Sequence, residues 1–103
     1  MLTKQEARKI ALTTLSVIGE LPGNDALDLV LIEPLVVESD LAWLFPFNTR
    51  EYVHTGNVRA MAIGVGPIVV NRETGIAFVA PPMPTKHLLA QYAASNGQPY
   101  NWF

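Results

Sequence analysis

Apolar residues recur along the first stretch of the chain at helical intervals. Ala7, Ile10, Ala11, Leu15 and Ile18 fall on one side, while Lys4, Arg8, Lys9, Thr13, Ser16 and Glu20 fall mostly on others. That spacing predicts an amphipathic helix over 3–18, which must dock on an apolar surface. Thr3 followed three residues later by Glu6 is a capping box, in which each residue satisfies an amide at the helix start. Gly19 suits a left-handed stop, and PGND at 22–25 is loop chemistry.

Beyond residue 26 the pattern changes from helical to extended. LDLVLIE at 27–33 is short and rich in branched residues, hence a strand. Pro34 interrupts it, and Val36 and Val37 are expected to extend it past a bulge, because proline cannot donate a ladder hydrogen bond. LAWLFPF at 41–47 reads as a second strand with Trp43, Phe45 and Phe47 on one face and Ala42, Leu44 and Pro46 on the other. Pro46 predicts a bulge or an edge there. AMAIG at 60–64 fits either a short strand or a loop with a helical turn. PIVVN, RETG and IAFVA then make a β-hairpin over 67–80, with a polar turn ending in glycine. Pro84 suits the start of a short C-terminal helix whose apolar side holds Leu88, Leu89, Tyr92 and Ala93. The expectation is an α+β fold in a single domain over 1–103. It has an N-terminal helix, an antiparallel sheet of about four strands, a short C-terminal helix, and both helices packed on one sheet face.

Composition narrows the function more than the fold. Half of the 103 residues are hydrophobic and 16% are charged, as in a folded globular chain. The formal net charge is -2 and no run of Lys or Arg occurs, so neither nucleic acid nor an anionic membrane is an expected partner. There is no cysteine, which excludes disulfides and thiolate metal sites. The N-terminus is broken by charge, unlike a signal peptide, and no apolar stretch approaches the roughly 20 residues of a membrane span. A soluble, cytoplasmic protein without a cofactor is expected.

The search for chemistry removes most enzyme classes. His54 and His87, the two histidines, stand far apart with no acidic or histidine residue at i+3 or i+4, short of the three ligands a metal needs. Ser39, Asp40 and His54 have the residue types of a nucleophilic set, but Ser39 lies in ESDL rather than in a glycine-flanked elbow. Glu38 and Asp40, like Asp25 and Asp28, read as solvated carboxylates. Gly64-Val65-Gly66 lacks the third glycine and the following helix of a dinucleotide loop. Arg50, Arg59 and Arg72 are dispersed. What remains is the junction where the aromatic strand meets a polar run. Asp40, Asn48, Arg50, Glu51, Tyr52 and His54 are the candidate partner-binding residues, and the same side chains are also suited to organising their own loop. Three of the nine aromatics, Tyr100, Trp102 and Phe103, crowd the 95–103 tail, where they suit docking on the chain's own core or a homodimer contact.

Four segments taken in order, TKQEARKIA, DLAWLFPFNTREYVHTGN, GVGPIVVNRETGIAFV and PTKHLLAQY, resemble the immunity protein 35 family, also called YrhB-like domains, over residues 2–94. Pro46 stands where that pattern more usually has an aromatic or aliphatic residue. The resemblance implies a small non-enzymatic bacterial protein that binds and neutralises a cognate polymorphic toxin. It carries no catalytic residues. A chaperone-like role is attributed to a YrhB-type member, and an exposed sheet edge at the Pro46 strand would serve such a role by strand addition. A small enzyme is the third class, disfavoured by the absence of a catalytic frame.

Overall fold

The computed structural model describes residues 1–20, 28–62 and 66–94. The chain opens with helix α1 (Lys4–Glu20), started by the predicted capping box: Thr3 N–H donates to Glu6 Oε1 at 2.9 Å and Glu6 N–H to Thr3 Oγ1 at 3.2 Å. The helix runs through Gly19 instead of stopping there, and no positive φ occurs at that residue. A glycine permits a left-handed stop without compelling one. The loop expected at 22–25 lies outside the described residues.

Among the described residues six strands follow, in two antiparallel sheets. β1 (Leu29–Leu31) pairs with β4 (Phe47–Thr49), and a four-stranded sheet has the order β2-β3-β5-β6. Its members are β2 (Val37–Glu38), β3 (Ala42–Phe45), β5 (Ile68–Asn71) and β6 (Ala77–Val79). Val37 is therefore not a continuation of β1 past a bulge. A 3₁₀ turn at Glu33–Leu35, with Pro34 in its first positions, lifts the chain out of one sheet and delivers it to the other. Pro46 marks the reverse crossing. β3 and β4 are one extended run that changes partner at the proline, which has no amide hydrogen to offer either ladder. The Pro46 carbonyl is taken by Ile32 N–H at 2.8 Å.

The β3 half of the Pro46 run is therefore not a sheet edge, whereas β4 is an outer strand of its two-stranded sheet. β3 is paired on both sides, and β4 has β1 on one side while Asn48 and Thr49 bind backbone at 60 and 62. The outer strands of the larger sheet are β2 and β6. The hairpin turns as expected: Asn71 Oδ1 accepts from the amides of Glu73 and Thr74, and Gly75 takes φ +75°. A 3₁₀ turn at Val58–Ala60 leads into the 60–64 segment, residues 61 and 62 are in neither strand nor helix, and 63–65 lie outside the described residues.

Alternation along the strands splits the core in two. Trp43, Phe45 and Phe47 share one face, as their spacing requires, and pack with Leu31, Ile68 and Val70 against Ala7, Ala11 and Leu15 of α1. The alanines at i and i+4 let the helix lie close to the sheet. Ala42, Leu44 and Val69 point the other way, and there they meet Leu88 and Tyr92 of α3 (Thr85–Ala94). The two helices hence cover opposite faces of the larger sheet, not one face as the sequence suggested. The reason is that β3 throughout and β5 over Ile68–Val70 are apolar at consecutive positions, so both faces need cover. Arg72 ties the N-terminal side of β3 together. Its Nη1 reaches Ser39 O at 2.7 Å and Glu38 Oε2 at 3.0 Å, and its guanidinium carbon lies 5.2 Å from the Trp43 ring centre.

Candidate functional site

The polar run after β4 folds into a self-bonded unit. Asn48 is 7% exposed; its Oδ1 accepts from Ala62 N–H at 2.8 Å and its Nδ2 donates to Ala62 O at 3.3 Å. Thr49, 6% exposed, donates through Oγ1 to Ala60 O at 2.7 Å and accepts from Tyr52 N–H at 3.2 Å, which caps helix α2 (Arg50–Thr55). The helix ends on Gly56 in the left-handed conformation at φ +73°. Asn57 then caps the 3₁₀ turn through Arg59 N–H at 3.1 Å. Inward-turned amide and hydroxyl groups therefore build the scaffold, and the longer side chains of α2 are left facing solvent.

Those outward side chains line a surface cleft of about 610 Å³, bounded by Asp28, Arg50, Glu51, His54 and Arg59, with Thr49 and residues 60–62. Strand register assembles it. Leu29 opposes Thr49, so Asp28 is placed against Arg50. Arg50 N–H donates to Asp28 O at 2.7 Å and Arg50 Nε to Asp28 Oδ2 at 2.8 Å. That hydrogen bond, with the attraction between the charges, raises the Arg50 pKa and keeps the guanidinium cationic. Both partners are more than half exposed, so the pair positions the side chains and contributes little to stability.

Of the six candidate partner-binding residues, Arg50, Glu51 and His54 share this cleft. Asn48 lies behind it with its amide engaged internally. Tyr52 is half-buried and does not line the cleft. Asp40 lies beyond the opposite end of the β3–β4 run, beside Leu41, Leu89, Tyr92 and Ala93. Asp28 and Arg59 join the cleft although their sequence surroundings single out neither. Only the β1–β4 register and the 57–60 turn bring them in, and neither is readable as a local motif. Tyr100, Trp102 and Phe103 lie outside the described residues.

The arrangement is suited to recognition. Ser39 Oγ donates to Ala42 O at 2.8 Å and accepts from Ala42 N–H at 3.1 Å, so its hydroxyl holds a turn, remote from His54. Among the described residues no three His, Asp or Glu side chains gather as a metal ion would require, and no helix is long and apolar enough to cross a membrane. A family model described as Immunity protein 35 matches residues 5–95. No curated protein and no solved structure matches the chain.

Proposed function

Because the chain belongs to the Immunity protein 35 family, we propose that it is a non-enzymatic binding protein that neutralises a cognate protein toxin by direct contact. The family match carries this reading, since it spans nearly all of the fold from α1 through α3. The contact surface is the cleft beside α2, with Arg50, Glu51 and His54 as its exposed side chains. Its supporting frame is held by buried hydrogen bonds from Asn48 and Thr49, so the binding groups are presented on a rigid backing. Inhibition then requires only complementarity to the toxin, by covering its active site or a surface it needs. The setting is a bacterial polymorphic toxin system, with the inhibitor in the cytoplasm of the producing cell. Co-expression with a cognate toxin domain, sought in the neighbouring genes, tests the proposal. The wild-type chain restores growth, and failure to protect contradicts the reading.

A second reading, a chaperone-like module, has one observation in its favour. Residues 76 and 80 bond inward to β5, so alternation turns the backbone groups of Ala77 and Val79 outward on an uncharged outer strand. Binding of several unrelated unfolded proteins through β6, without fixed stoichiometry, supports that reading. A single 1:1 partner supports the first.

A further inference from the structure

The charges that line the cleft are not equally occupied. Asp28 is engaged by Arg50 Nε at 2.8 Å, and Glu51 Oε1 accepts from Asn57 Nδ2 at 3.3 Å. Both carboxylates thus have partners within the chain. Arg50 uses only its Nε in the ion pair, leaving its two terminal nitrogens without a partner among the described residues. The Arg59 guanidinium makes no hydrogen bond or ion pair with a described residue; only its backbone amide is used, in the cap from Asn57. The chain as a whole carries a formal charge of -2. The four charges on the lining, Asp28 and Glu51 against Arg50 and Arg59, balance, and Arg59 is the one whose charged group has no partner among the described residues.

We propose that this cleft receives an acidic side chain, an Asp or Glu carboxylate, of the protein partner, with Arg59 as the principal donor and the terminal nitrogens of Arg50 as the second. The inference rests on the immunity reading and specifies the partner's chemistry at the same site. A planar guanidinium fork matches a carboxylate with two parallel hydrogen bonds, which a lysine cannot reproduce. Arginine at the centre of a desolvated contact is also among the residues whose loss costs most affinity. Arg50 is already oriented by Asp28, so its donors are held in place before the partner arrives. A partner whose contact surface is acidic at one position is selected even though the overall charge of the chain favours a basic one.

The test is calorimetric titration of the purified chain with an inactivated form of its cognate toxin domain, at fixed salt. Arg59→Glu is expected to weaken binding about 30-fold or more, and Arg59→Lys about 5- to 10-fold. Lys86→Glu makes the same change in net charge on α3 and is expected to alter affinity less than about 3-fold. Arg59 is exposed, so melting curves of the variants should overlay the wild type. A carboxylate-to-lysine change in the toxin that restores binding to Arg59→Glu identifies the group received. Wild-type affinity in Arg59→Glu overturns the inference while leaving the immunity reading standing. Equal weakening by Lys86→Glu overturns it too, because net charge alone then explains the effect. Binding of a DNA oligonucleotide that Arg59→Glu abolishes, with toxin affinity unchanged, would assign the donors to phosphate instead. If the wild-type chain does not bind the toxin, both readings fall together.

Discussion

Asn48 and His54 lie six positions apart in one polar run and have opposite surroundings. The Asn48 amide is buried and joins both backbone groups of Ala62. Asn48→Ala leaves those groups without partners and should cost about 2–3 kcal/mol in urea unfolding. His54 is exposed, and His54→Ala should change stability by less than about 0.5 kcal/mol. Glu6 makes a prediction of a different kind. The Thr3 backbone amide, then the Thr3 side chain, hold its carboxyl below the ordinary carboxylate range. A lowered pKa means the contribution is present near neutral pH and is lost as pH falls through that lowered value. Amide exchange in the first turn of α1 should therefore accelerate on acidification, and Glu6→Gln should flatten that dependence. The capping box was legible in sequence because its partners are three residues apart. The Asn48 contact was not, because its partner is fourteen residues away and nothing local marks it.

At the scale of elements, helix and strand identities follow from periodicity, whereas the crossings between sheets do not. The pattern at 41–47 put Trp43, Phe45 and Phe47 on one face, and all three lie in the cluster under α1. What it could not convey was that the strand changes partner at Pro46, since pairing depends on residues far along the chain. Two glycines separate backbone freedom from packing. A Cβ at Gly66 would lie 2.1 Å from Ala80 O and 2.5 Å from Pro81 O, both backbone atoms that cannot swing aside. Gly66→Ala should cost about 3 kcal/mol or more, or prevent folding, with loss of the cooperative transition as the readout. A Cβ at Gly19 meets nothing within 4 Å, and the residue is helical. Gly19→Ala should therefore stabilise the protein by about 0.5–1 kcal/mol, seen as a higher urea midpoint.

At the scale of the molecule the larger sheet is covered on both faces, and α3 has a structural duty that its short length disguises. Leu88 is fully buried and Tyr92 is 1% exposed, with its hydroxyl accepting from Asn71 Nδ2 at 2.9 Å. Leu88→Ala should cost about 2–4 kcal/mol. A much smaller loss would mean that α3 is not the cover of that face. The cleft lies at the β1–β4 end, outside the cluster that α3 covers, so destabilisation at Leu88 and loss of binding at Arg59 should be separable. The central claim is that the chain silences a toxin by direct contact through that cleft. Its most direct measurement titrates the chain into an active cognate toxin domain while toxin activity is recorded. The account predicts a linear fall to zero at one equivalent, with Arg59→Glu requiring a large excess at an unchanged melting temperature. Undiminished toxin activity at many equivalents of folded wild-type chain would contradict it.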